Sequence, residues 1–230
     1  MIPKLIHYIW VGPNPLPDKN RELIAKSQRH LSGYTVRIWR EADLDMTPAF
    51  VRRAYAAGQW AFVSDYLRFV ILRDQGGIYL DTDMEVLRPL DDLLSAAAFA
   101  GYDRTNQHIY CGIIGAVPQH PLFAQLVRDY DALPPGRLPT SPEMLTSAYK
   151  KSCTDLVLHP ADTFYPCSEG EQPDPARMAK AYATHHWDES WRRWVGLRRL
   201  LRRLGILKLL HLILKKTGLM PLYQRVLGHR

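Results

Sequence analysis

Apart from His7, apolar residues fill Leu5 to Trp10 at odd and even positions alike, the pattern of a strand buried on both faces. A Pro-rich turn follows, then a helix expected from about Asp18, placed as its N-cap, to Gly33, placed as its stop. Tyr34 to Trp39 alternates like a second strand, and Thr47-Pro48 opens another helix. Beyond Gly58, the apolar residues Phe62, Val63, Tyr66, Leu67, Phe69, Val70, Ile71 and Leu72 point in nearly every direction of a helical wheel. A helix from about Trp60 to Asp74, buried on most sides, is therefore expected. Gly76-Gly77 ends it, and a strand runs from Ile78 to Asp81. Met84 to Val86 continues in extended form, while Phe99 to Tyr102, Ile109 to Ala116 and Leu156 to His159 read as strands. His120 to Leu133 and Pro142 to Tyr149 read as helices, and Glu169 to Pro175 as a polar loop. Strands alternating with helices early, and hairpin-like strands later, predict an α/β sandwich around a mixed sheet.

Charge breaks the apolar pattern at two places. Inside the buried helix, Asp65 and Arg68 lie three apart and share a face. An unpartnered buried charge costs on the order of several kcal/mol, so the two must pair with each other or meet a polar ligand such as sugar or ribose hydroxyls. The second place is the end of the strand Gly76-Gly77-Ile78-Tyr79-Leu80-Asp81-Thr82-Asp83. Period-two geometry turns Asp81 and Asp83 to one side, at the sheet edge where open α/β folds take their ligands. Converging carboxylates repel unless a cation joins them, and hard oxygen donors suit Mg²⁺ or Mn²⁺ with positions left for diphosphate oxygens. A solvated turn is the alternative for a bare Asp-X-Asp, since short motifs recur by chance.

With 230 residues, 47% of them hydrophobic, the chain can bury one sizeable core and a small appendage. Cys111, Cys153 and Cys167 have neither disulfide nor zinc spacing, which points to a reducing cytoplasm. The opening apolar run is cut off by Gly12 and Pro13, too short for a signal peptide or a span, so no export is expected. The net charge of +7 is concentrated late, with nine Arg or Lys and no acid between Trp191 and Lys216. There a helical wheel puts Trp194, Leu197, Leu200, Leu201, Leu204 and Leu207 opposite Arg198, Arg199, Arg202 and Arg203. Such a helix suits an anionic membrane surface, each basic residue contributing about 1 kcal/mol, or else packs its leucines on the domain. Nucleic acid is excluded as a partner, because no aromatic residues interleave the basic ones in a phosphate-tracking pattern.

Three ordered blocks, Ile2-Pro3-Lys4-Leu5-Ile6-His7-Tyr8-Ile9-Trp10-Val11-Gly12, Ser64-Asp65-Tyr66-Leu67-Arg68 and Gly76 to Asp83, resemble the DXD-bearing sugar transferases of glycosyltransferase family 32. That family includes fungal initiating mannosyltransferases and bacterial capsule or lipopolysaccharide enzymes, and is distantly similar to the glucosylating domains of clostridial toxins. The resemblance covers roughly residues 2 to 195. It implies a GT-A fold with a Rossmann-like nucleotide-sugar-binding core, a UDP- or GDP-sugar donor, Mn²⁺ or Mg²⁺, and retention of anomeric configuration. By position it also implies that Trp10 stacks on the donor base, with Val11 and Thr82 in the same binding set. Asp65 and Arg68 would contact ribose and sugar, and Asp81 and Asp83 would form the DXD site. A core tryptophan is the alternative for Trp10. Thr184-His185-His186-Trp187-Asp188-Glu189-Ser190-Trp191 looks like the family's C-terminal block. His185 is its candidate metal or phosphate ligand with His186 close behind, surface packing being the alternative for the pair; Trp191 would bond a β-phosphate, and Ser190 joins the nucleotide-sugar-binding set. Thr140-Ser141-Pro142 stands where relatives often have Thr-Gly-Pro, and the serine departs from that pattern.

The expectation is thus a catalytic domain over 1–190 and a basic amphipathic tail over 191–230, in an enzyme at the cytoplasmic face of a membrane. It would transfer a hexose to a glycan or lipid-linked acceptor in cell-surface polysaccharide or lipopolysaccharide synthesis. Aspartyl phosphatases of the haloacid dehalogenase type also run an apolar strand into Asp-X-Asp. They want Thr or Val two residues after the second Asp, where this chain has Glu85. A non-enzymatic membrane-binding protein would explain the tail but leave Asp65, Arg68, Asp81 and Asp83 without a purpose.

Overall fold

The computed structural model describes residues 1–151, 155–168 and 170–187. β1 (Leu5–Ile9) is followed by α1 (Asp18–Gln28) and by β2 (Thr35–Trp39), which lies parallel to β1 with Leu5 opposite Thr35. The chain then passes through α2 (Ala49–Ala56) and α3 (Trp60–Gln75) into β3 (Gly77–Leu80), parallel to β1 on its other side. After β4 (Met84–Val86) come β5 (Ala98–Tyr102) and β6 (Ile109–Ala116), then α4 (Pro121–Asp131) and α5 (Ser141–Lys151). β7 (Leu156–His159), two short helices α6 (Ala161–Phe164) and α7 (Pro175–Met178), and β8 (Ala183–His185) complete the described part.

The main sheet has the order β2-β1-β3-β6-β5-β7, and β4 pairs with β8 in a separate two-stranded ribbon. Within the main sheet β6 alone runs against its neighbours, so the C-terminal ends of β1, β2, β3, β5 and β7 share one edge. One face is covered by α2 to α5, whose Phe50, Tyr66, Phe69, Phe123 and Tyr130 form an aromatic core. The other face is covered by α1 and the segments around β4 and α6, with Ile24, Leu80, Met84, Phe99 and Phe164. This is the expected mixed-sheet α/β sandwich.

The turn from α3 into β3 depends on glycine. Gly76 and Gly77 have φ of 63° and 91°, and a Cβ on Gly77 would lie 2.7 Å from the Leu5 carbonyl oxygen. The pair therefore stops the helix and lets β3 approach β1. His7, buried between them, bonds the Gly76 carbonyl through Nε2 (2.9 Å) and accepts from the Trp39 indole through Nδ1 (3.2 Å).

Two expectations are corrected. Pro17, not Asp18, takes the N-cap of α1, and no side chain caps it. The helix also ends at Gln28, because the chain leaves through successive tight turns before Gly33 (φ 76°) reverses it into β2. The tail expected from residue 191, with Ser190 and Trp191, lies outside the described residues. Among the described residues no helix is long and apolar enough to cross a membrane.

Candidate active site

The site sits at the shared sheet edge and begins inside α3. Arg68 is almost wholly buried, and its guanidinium reaches Asp65 Oδ1 at 2.9 Å through Nη2 and Asp81 Oδ1 at 3.3 Å through Nη1. Nη1 also donates to the Cys111 carbonyl (2.8 Å), Nε donates to the Ser64 carbonyl (3.1 Å), and the group lies 4.5 Å from the Tyr79 ring centroid. Burial alone would lower its pKa, but the carboxylates of Asp81 and Asp65 and the Tyr79 phenol outweigh that and raise it. Asp65 is also buried, which raises its carboxyl pKa against the opposing pull of Arg68 and of a short hydrogen bond donated by Ser141 Oγ. The ion pair considered for these two residues is therefore present, and it extends to Asp81.

The Cys111 carbonyl is available because β6 slips against β5. Phe99 faces Gly115 but Gly101 faces Tyr110, so two steps along β5 match five along β6. Between those positions β6 loses its regular partners on that side. Arg68 takes the Cys111 carbonyl, and the Tyr165 hydroxyl accepts from the Ile113 N–H (3.3 Å).

Asp81 and Asp83 converge by a different route from the one the spacing suggests. β3 ends at Leu80, the Asp81 N–H still donates to the Gly112 carbonyl (2.8 Å), and a tight turn follows in which the Met84 N–H donates to the Asp81 carbonyl (2.9 Å). The two carboxylates thus sit on a turn between the main sheet and the ribbon, not on the pleat of one strand. The ribbon supplies the third group. Met84 pairs with His185, and His185 Nε2 lies 3.1 Å from Asp83 Oδ1. One ligand atom from each of Asp81, Asp83 and His185 falls within 4.8 Å of the others. The Tyr79 hydroxyl donates to Asp81 Oδ1 (2.7 Å), the same oxygen that faces Arg68. Two carboxylates and one imidazole form a donor set that fits a divalent cation.

The other residues named from sequence divide. Trp10 follows β1, and the β1–β3 register, with His7 opposite Tyr79, sets it level with the Asp81–Asp83 turn. It is half-buried, and its indole N–H donates to the Asn14 carbonyl (2.9 Å). Val11 is buried, and Thr82 accepts from the Asn20 amide (3.2 Å). His186 turns to Glu85 (2.8 Å) and stands outside the Asp81, Asp83 and His185 group. Sequence reasoning did not find Tyr79, Ser141 as the partner of Asp65, the Cys111 carbonyl, or Trp187, whose ring packs 4.1 Å from His185.

Residues 18–100, which contain Asp65, Arg68, Asp81 and Asp83, match the family described as a glycosyltransferase sugar-binding region containing DXD motif. The chain is similar to the uncharacterized glycosyltransferase L373 of Acanthamoeba polyphaga mimivirus, at 25% identity over 83% of this chain and 84% of the relative. It is also similar to mannosyl phosphorylinositol ceramide synthase CSH1 of Saccharomyces cerevisiae, at 29% identity over 56% of this chain, and there it spans 35% of the relative's length. Among solved structures, PaToxG glycosyltransferase shares the fold with a TM-score of 0.53 at 17% identity, over 65% of this chain and 69% of that one. The fold, a mixed six-stranded sheet flanked by helices, is that of the GT-A glycosyltransferases. The chain is accordingly a glycosyltransferase, similar in its DXD-bearing region to the sugar transferases of family 32.

Proposed function

We propose that this chain moves a hexose from a UDP- or GDP-sugar to a glycan or lipid-linked glycan, with retention, using Mn²⁺ or Mg²⁺ held by Asp81, Asp83 and His185. The convergence of those three side chains carries the reading. Charge supports it: Asp65 and Asp81 share the guanidinium of Arg68, and Asp83 brings a further carboxylate beside Asp81, where a divalent cation would relieve their repulsion. When bound, the cation supplies charge neutralisation for the departing diphosphate.

The chain's own residues set the geometry around it. Arg68, only 5% exposed in its side chain, acts as a positioning residue that holds Asp65 and Asp81 in register. Trp10 stacks on the donor base, a role supported by its position level with the Asp81–Asp83 turn, with Val11, Thr82, Ser190 and Trp191 kept in the donor-binding set on the resemblance. In the reaction the acceptor hydroxyl oxygen bonds to the anomeric carbon, the bond from that carbon to the diphosphate oxygen breaks, and the acceptor proton passes to the leaving diphosphate. Asp65 is engaged by Arg68 and Ser141, and Asp81 and Asp83 are assigned to the cation. No carboxylate of the described site is then left as a nucleophile, which favours front-face attack.

The similarity to a yeast mannosyl phosphorylinositol ceramide synthase favours an acceptor displayed on a membrane. The basic stretch over 191–230 suits a cytoplasmic enzyme bound at the inner face of such a membrane, in cell-surface polysaccharide or lipopolysaccharide synthesis. Thermal shift with UDP, GDP and their sugars tests the donor site, since a ligand of the native state raises its melting temperature. A Mn²⁺-dependent rise with one diphosphate is expected, lost in Asp83→Ala, with activity lowered on the order of 10³-fold. A rise that needs no metal, or that survives Asp83→Ala, would sink the proposal.

A further inference from the structure

A cavity of about 460 Å³ opens beside the site, between the Asp103–His108 loop and the C-terminal half of α5. Its wall carries Tyr102, Asn106, Gln107, His108, Tyr149 and Lys150. The size falls within the range of small-ligand pockets, roughly 300–1,000 Å³.

Two elements tie this cavity to the candidate active site. β6 runs from Ile109, at the cavity, to Gly112, whose carbonyl holds the Asp81 N–H; three residues of strand span on the order of 10 Å. α5 carries Ser141, which holds Asp65, at one end and Tyr149 and Lys150 near the other. Thr146 fastens the two elements by accepting from the Ile109 N–H (2.9 Å). The cavity also lies on the productive side, because β5 ends there at Tyr102, on the edge where β3 ends before Asp81.

The loop is built rigidly for a surface connection. Asp103 is buried and accepts from Thr105 Oγ (2.7 Å), the Gln107 N–H (2.9 Å) and the His108 N–H (3.2 Å). His108 is tethered through Nδ1 to Asp103 while half of its side chain, 51%, stays exposed. Aromatic faces take up the apolar C–H faces of sugar rings, and amides, imidazole and ammonium answer hydroxyls at the ring edge. Preorganised polar groups around aromatic walls thus match a sugar ring better than a lipid chain or a peptide.

We infer that this cavity is the acceptor subsite and holds the sugar ring adjacent to the attacking hydroxyl, an assignment that rests on the donor site proposed above. The test is saturation-transfer NMR on the full chain with Mn²⁺ and UDP or GDP, using methyl α-mannoside, methyl β-galactoside and lactose, free and as glycolipid head groups on phosphatidylcholine vesicles. Tyr149→Ala and the loop variant Gln107→Ala are compared with the unsubstituted chain. At least one sugar is expected to bind and to weaken about tenfold in Tyr149→Ala and measurably in Gln107→Ala. The Mn²⁺-dependent thermal shift with nucleoside diphosphate should persist in both. Binding in free form marks a soluble acceptor, and binding only on vesicles marks a lipid-linked one. Absence of sugar binding, or binding unchanged in both variants, overturns the subsite while the nucleotide response separately reports on the donor site.

Discussion

Two clusters of charge meet at Asp81 and have opposite characters. The Asp65–Arg68 side is buried, every group in it is partnered by another protein group, and Ser141, Tyr79 and the Cys111 carbonyl complete it. The Asp83–His185 side is half-buried, sits on a turn and a short ribbon, and gathers two carboxylates and an imidazole within reach of one another. The buried side can contribute order but has little capacity left for a ligand. The open side has that capacity and depends on the buried one for its orientation, through the single oxygen Oδ1 that Asp81 gives to Arg68 and Tyr79.

Substitutions should separate the two. Arg68→Met leaves Asp65 and Asp81 without their cation and should cost about 3–5 kcal/mol in urea denaturation. Asp83→Ala removes mutual repulsion among carboxylates and should leave the urea midpoint nearly unchanged while activity is lost. Equal stability losses in the two variants would erase the distinction drawn here.

Acid acts on the scaffold beneath both clusters. Burial, opposed by the bond to the Gly76 carbonyl, lowers the pKa of His7 from 6.5 to about 4. A lowered imidazole pKa contributes stability that is fully present above pH 6.5 and is lost as pH falls through about 4. The loss across that window should be about 3 kcal/mol by denaturation at a series of pH values, and His7→Asn should flatten it. A smaller loss of stability than at Arg68 or His7 is expected at Ser141→Ala, which removes a hydrogen bond to a buried carboxylate and should cost about 1–2 kcal/mol. Its activity should fall through kcat more than through the donor KM, since Asp65 keeps Arg68 but loses its fixed orientation.

The outline of the fold was readable because apolar periodicity is local: β6 and β7 lie where their patterns placed them. Asp81 and Asp83 were readable as a pair, yet their convergence through a turn was not, because two residues of spacing fit both a pleat and a tight turn. Ser141 meets Asp65 across 76 residues, and only its departure from a family pattern drew notice. Tyr79 reads as an ordinary strand residue, and nothing in the alternation shows that its hydroxyl serves Asp81. The slip of β6 against β5 is equally silent, since eight mostly apolar residues look alike whichever partners they take. Short elements with few apolar positions, such as α7 and β8, leave no periodic trace at all.

The ribbon of β4 and β8 has a consequence for how the enzyme comes into being. Asp81 and Asp83 can be set by the first half of the polypeptide, but His185 reaches them only by zipping onto Met84 across about a hundred residues. During synthesis from the N-terminus, a ribosome-bound intermediate would own both acids before it owned the imidazole. The group of three donor side chains is then complete only late, once β8 has emerged and paired with β4.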